Sequence, residues 1–143
     1  MTVRVERSFE LDASPERVWE FIADPDRRAR AISVVSSYST DDDGRRATWE
    51  IDVPIPLVRR TVTVETEDLT RREPEYVKFR GTGPAMNVEG VHEITETADG
   101  ARLENHFVVD SHLPGVERYF KKNLDDELEN LRRALVRDIR ANP

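Results

Sequence analysis

The sequence predicts an α+β fold: a curved antiparallel sheet of about seven strands wrapped around a long C-terminal helix, with two short helices after the first strand. Three observations predict it. Apolar residues alternate with period two over residues 2–11 and again in successive segments between 33 and 111. Two Pro-marked helix starts lie between those regions. After Pro114 the apolar period becomes helical and stays so to the end.

Thr2–Leu11 is the first strand, with Val3, Val5, Phe9 and Leu11 on one face and Arg4, Glu6, Ser8 and Glu10 on the other. Arg7 falls in the apolar phase, so it should sit at a sheet end or partner an acid. In "SPERVWEFIADPDRRARAI", Ser14 caps, Pro15 suits the first helical position and Glu16 favours the positive helix end. Asp24, Pro25 and Asp26 repeat that arrangement, giving helices over 14–23 and 25–31. Val18, Trp19, Phe21 and Ile22 form the buried face of the first.

"SVVSSYST" is a strand that turns through "DDDG" into "RRATWEIDV", which aligns Ala47, Trp49, Ile51 and Val53. Pro54 and Pro56 cannot donate to a ladder and are expected to break it. Arg60, Val62 and Val64 are in phase in the next strand, and Val77 and Phe79 in the one after. "GVHEITETADGARLENHF" then reads as a hairpin over about 87–97 and 101–111, turning at Asp99-Gly100. That turn pairs Ile94 with Asn105, His92 with Phe107 and Gly90 with Val109, leaving Glu93 opposite His106 and Val91 opposite Val108 on the other face. The final helix, 115–140, carries a stripe of Val116, Phe120, Leu124, Leu128, Leu131, Leu135 and Ile139. A single long stripe needs a broad sheet to lie on, and consecutive strands with short turns make that sheet a meander.

At 143 residues the chain is expected to form one domain, 1–143. A net charge of −7 argues against nucleic acid and anionic membranes as partners. The absence of cysteine excludes disulfides, thiol catalysis and Cys-bound metals. The charged, alternating N-terminus is unlike a signal peptide, and no apolar run approaches the roughly 18 residues of a membrane helix, so a soluble cytoplasmic protein is expected. Three scattered histidines give no metal motif, Asp41–Asp43 lack the calcium-loop pattern, and no phosphate-binding, dinucleotide or nucleophile-elbow motif occurs. No cofactor is expected.

The notable polar residues share the inward phase. His92 is either a hydrogen-bonding or acid/base group facing a ligand, or a core histidine bonded to a neighbour. Asn105 either faces the ligand too or bonds His92 or the last helix. Arg60 could contact an anion at a pocket mouth, and Tyr119 and Asn123 flank the helical stripe as pocket lining or polar rim. His106 reads as a surface pair with Glu93, and His112 as an exposed loop residue.

Three segments resemble the START-like, or SRPBCC, superfamily. "FELDASPERVWEFIADPDR" looks like its opening strand, helix and Asp-Pro break, the hairpin segment is similar to its paired late strands, and 115–140 matches its C-terminal helix. The resemblance implies a helix-grip fold with a cavity between sheet and helix. It also implies binding or transfer of hydrophobic small molecules of lipid, quinone or polyketide type, or, in a minority of members, cyclisation or dehydration. "DDDG" stands where some members carry a Gly-rich loop, which argues against phosphate binding there.

The leading expectation is therefore a non-enzymatic binder. Its pocket walls are Trp49, Val62, Phe79, Ile94, Phe107, Phe120 and Leu124, with His92 and Asn105 orienting the ligand. A cyclase or dehydratase using His92 as acid/base, with Asn105 or Tyr119 in support, is the second reading. A protein-interaction module using a patch at Val91 and Val108 is the third. The oligomeric state is not legible in the sequence.

Overall fold

The computed structural model describes residues 2–41, 45–55, 58–111 and 113–142, with side chains for these apart from 54–55, 58–60 and 114. The order is β1 (Thr2–Leu11), α1 (Pro15–Ile22), α2 (Pro25–Ala31), β2 (Val35–Thr40), β3 (Arg46–Ile55), β4 (Val58–Arg72), β5 (Tyr76–Thr82), β6 (Met86–Thr97), β7 (Gly100–Ser111) and α3 (Pro114–Ala141). Both short helices start as their sequences require. Ser14 Oγ accepts from the Arg17 N–H at 3.2 Å and Asp24 Oδ1 from the Asp26 N–H at 2.9 Å, with Pro15 and Pro25 at the first helical positions. Residues 42–44 of the "DDDG" turn, Pro56 and His112 lie outside the described residues.

The seven strands form one antiparallel sheet in the order β1-β7-β6-β5-β4-β3-β2. β1 and β2 are its two edges, so α1 and α2 carry the chain from one edge to the other. Pro54 does not break the ladder as expected, for β3 runs on to pair Pro54 with Arg59 and Ile55 with Val58. The Asp52 N–H donates to Val34 O on the β2 side at 2.8 Å. Alternation puts the Pro54 nitrogen on that same side, past the last β2 pair, where no ladder bond is lost.

The β6–β7 register differs from the expected one by two residues. Thr97 pairs with Gly100, so Ala98-Asp99 is the loop and Gly100 opens β7. Gly at the last turn position is ordinary turn chemistry. Here it is also required by space: Gly100 has φ +156°, and a Cβ would lie 2.2 Å from Leu11 O at the end of β1. His92 therefore pairs with Asn105, Ile94 with Leu103 and Gly90 with Phe107. A shift of two preserves the faces, so His92 and Asn105 still point inward. It does rearrange the outer face. Val91 lies opposite His106 instead of Val108, and Glu93 opposite Glu104. His106 makes its surface pair with Glu6 of β1, Nδ1 to Oε1 3.3 Å, rather than with Glu93. Val91 and Val108, the patch expected for an interaction module, are thus diagonal rather than directly opposite and both half-buried, and Leu69 is the exposed large hydrophobic residue among those described.

α3 lies on the concave face through Val116, Phe120, Leu124, Leu128, Leu131 and Leu135, all buried, with Ile139 half-buried at its end. Arg7 meets it as an acid partner: its Nη2 donates to Glu129 Oε2 at 3.0 Å, and its Nε lies 3.7 Å from Asp125 Oδ1. At the far end Arg17 Nη2 donates to Asp138 Oδ2 at 2.8 Å. Ion pairs thus clamp the helix to β1 and α1 while its apolar stripe covers the sheet.

Candidate ligand-binding site

Between the sheet and α3 lies an apolar cavity of about 60 Å³, lined from α2, from β3 to β7 and from α3. Three aromatic groups form its floor. Phe79 on β5 and Phe107 on β7 meet edge to face at 5.8 Å, and His92 on β6 stacks on Phe79 at 6.0 Å and meets the Phe107 edge at 5.4 Å. Gly90 makes this possible. It pairs with Phe79 on one side and Phe107 on the other, and a Cβ there would lie 2.2 Å from one ring and 2.4 Å from the other.

His92 is buried, and its Nδ1–H donates to Asn105 Oδ1 at 2.8 Å. Asn105 is fixed in that orientation because its Nδ2 donates to Arg7 O at 3.1 Å. The donor on Nδ1 makes Nε2 the acceptor. Burial, and next the nearby Arg28 charge, push the imidazole down to about 3, against the bond to Asn105. His92 is a neutral imidazole at any physiological pH. Asn105 is not on the cavity wall; it holds the ring from behind.

Of the residues read from the sequence as ligand contacts, Trp49, Phe79, His92, Phe107, Phe120 and Leu124 line this cavity. Val62 and Ile94 are buried but not in the wall; Val64 lies there on β4 instead. Tyr119 and Asn123 are half-buried and outside it. Asn123 Nδ2 donates to Tyr119 O at 2.9 Å, and the Tyr119 hydroxyl donates to Glu127 Oε1 at 3.3 Å. Desolvation, with Glu127 beside it, pushes the Tyr119 hydroxyl up to about 12, so it remains a donor. The Arg60 side chain lies outside the described residues.

Two charged wall residues escaped the sequence reading. Arg28 on α2 is only 6% exposed. Its Nη2 donates to Asp68 Oδ1 at 2.7 Å, and its guanidinium lies 5.1 Å from the Phe79 centroid. Burial lowers its pKa, against the opposing pull of Asp68. Glu127 on α3 accepts from the Ser33 N–H at 2.9 Å and from the Ser33 and Tyr119 hydroxyls, latching α3 to the segment between α2 and β2. Both were detectable. Asp68 continues the inward phase of Val62, Val64 and Thr66, and an acid there calls for a cation; Arg28 sits three residues after buried Pro25. Glu127 stands three residues after Leu124 and four before Leu131, on the same stripe. Among the described residues no cluster of three or more His, Asp or Glu could hold a metal, and no helix is long and apolar enough to cross a membrane.

The fold has clear structural relatives. A START superfamily protein from Mycobacterium smegmatis superposes with a TM-score of 0.75 at 16% identity, covering 98% of this chain and 99% of that one. A conserved protein from Geobacillus kaustophilus gives 0.73 at 17%, covering 97% and 96%. The di-domain ARO/CYC StfQ from the steffimycin biosynthetic pathway gives 0.68 at 11%, covering 99% of this chain and 53% of that one. At such identities the likeness shows the fold. No curated protein matches the sequence. A family model, however, matches residues 2–136, and by that match the chain belongs to the family described as "Polyketide cyclase / dehydrase and lipid transport".

Proposed function

We propose that the protein binds or carries a hydrophobic small molecule in the cavity between the sheet and α3. The supporting observation is that cavity: a mainly apolar chamber with a neutral imidazole and two buried charged side chains, Arg28 and Glu127, in its wall, kept open in a sheet-on-helix core that could have been filled by larger side chains. Its size narrows the ligand. About 60 Å³ holds a few water-sized spheres, whereas drug-sized sites run to several hundred Å³. A benzene ring occupies a cavity of about 150 Å³, so in this closed form the space takes no more than a short chain, and a ring enters only as the walls part. A quinone or polyketide would require the N-terminal half of α3 to lift from the Glu127 latch.

A catalytic reading, cyclisation or dehydration with His92 as acid/base, draws on the family and on the likeness to StfQ. The geometry favours it less. A base held down to about 3 has little driving force for taking a proton near neutral pH. The ring's other nitrogen is bound to an amide rather than to a carboxylate that would raise its basicity. His92 is better suited to accept a hydrogen bond from a ligand hydroxyl. The same reading takes residues 1–143 as one domain working in the cytoplasm without nucleic acid. The test is a thermal-shift screen of small aromatic and aliphatic compounds, lipids and quinones, with mass spectrometry of an organic extract of the purified protein. A stabilising compound whose effect is lost on filling the cavity supports the proposal. No stabilisation by any class, together with an empty extract, overturns it.

A further inference from the structure

Three polar atoms in this cavity's wall have no hydrogen-bond partner among the described residues: Arg28 Nε, Arg28 Nη1 and Trp49 Nε1. All are donors. Both side chains are buried, and both lie against the same ring, with Arg28 5.1 Å and Trp49 6.5 Å from the Phe79 centroid. Buried N–H groups are rarely left unmet, and an unmet guanidinium still less so. Arg28 has no carboxylate to itself. Asp68 gives Arg28 a single hydrogen bond and also faces Arg71, at 3.8 Å from its Nε, so two cations share one carboxylate. Asp24 caps α2 and lies 3.5 Å from Arg27. Glu127, a carboxylate in the same wall, has its oxygens engaged by the neutral donors of Ser33, Tyr119 and Asn130 rather than by Arg28. The wall therefore offers three unmet donors, two of them on a guanidinium, next to an aromatic floor.

Resting on the reading of the cavity as a ligand site, we propose that its ligand is a compact hydrophobic carboxylic acid, bound as the anion with its carboxylate on Arg28 and Trp49 Nε1 and its apolar body on Phe79 and Phe107. A carboxylate is the acceptor-only group that a guanidinium recognises with strong charge-assisted bonds. A neutral ketone brings one oxygen to three donors, whereas a carboxylate brings two acceptor oxygens and no donor. The indole N–H adds a directional contact that a hydrocarbon cannot use. Arg28 is thereby a specificity-determining residue of the cavity, and Asp68 holds it in place.

The probes are benzoate, benzamide and toluene, which share a shape and differ in charge and acceptors. They are titrated at pH 7 into ¹⁵N-labelled protein, followed by its two indole N–H resonances, those of Trp19 and Trp49. Benzoate should bind about tenfold or more tighter than benzamide, toluene should bind least, and the Trp49 resonance should move while that of Trp19 stays. Trp49→Phe should weaken benzoate several-fold without touching the ion pair. Arg28→Met/Asp68→Leu removes both charges together, so it should fold and bind the three probes alike. Equal binding of all three probes by the unaltered protein overturns the carboxylate assignment while leaving the cavity a hydrophobic site. So does binding of neutral lipids or quinones with no response to benzoate. Failure of every compound of any class removes both readings. Ordered waters on Arg28 and Trp49 in a benzoate-soaked crystal, with no benzoate present, would also overturn the assignment.

Discussion

His92 makes the most direct residue-scale prediction. It is neutral when folded and held down to about 3, against 6.5 for the free side chain. Between those values the unfolded chain binds a proton that the folded chain does not, so stability falls as pH drops below about 6.5, by about 1.4 kcal/mol per pH unit. Glu129, held down to about 2 chiefly by its bond to Arg132, adds a loss in the same direction only below about 4.5. Urea unfolding between pH 7 and pH 5 therefore isolates the histidine. About 2 kcal/mol should be lost over that interval, and His92→Gln should remove that loss. An unchanged slope in the variant would mean that His92 is not buried neutral. Arg28 gives a second residue-scale prediction. Arg28→Met alone leaves buried Asp68 with only the longer contact to Arg71 at 3.8 Å and should cost on the order of 3 kcal/mol in urea unfolding, whereas adding Asp68→Leu should recover most of it.

At the scale of elements, Gly90 and Glu127 define how sheet and helix leave a cavity. Gly90→Ala pushes a methyl group into the Phe79 and Phe107 rings and should destabilise by about 1–3 kcal/mol, read as a lowered urea midpoint with an unchanged slope. Glu127→Ala removes the latch and leaves the Ser33 N–H unmet, at a cost of about 1–3 kcal/mol. Its distinguishing sign is local: amide exchange should quicken around Ser33 and in the first half of α3, but not near Asp138, where Arg17 and Arg27 hold the helix. The elements were the most legible part of the sequence, since each rests on local chemistry: the two Ser/Asp-Pro caps, the alternation of each strand, the stripe of α3. The hairpin register was less so. Asp99-Gly100 is a good turn pair, but the space Gly100 needs comes from β1, ninety residues away in the chain, and nothing local records it. The inward face of His92 and Asn105 survived because the slip was even. The site's charged half was missed for a similar reason. The run "RRAR" looks like a solvated helix face until Asp68, on a distant strand, is placed beneath it.

For the whole molecule, the fold places a broad sheet under one amphipathic helix and keeps a small space between them. Ion pairs hold the helix at its middle and its C-terminal end, through Arg7 with Glu129 and through Arg17 with Asp138, while aromatic rings and His92 pack into the floor of the space. The central claim is that this space exists for a ligand. The measurement that tests it most directly is binding stoichiometry by native mass spectrometry, comparing the protein with Leu124→Trp, which adds an indole to the cavity wall, after both are shown to fold alike. A single molecule bound to the unaltered protein and none bound to the variant is the predicted result. Equal binding by both, or none by either across acids, lipids and quinones, would contradict it.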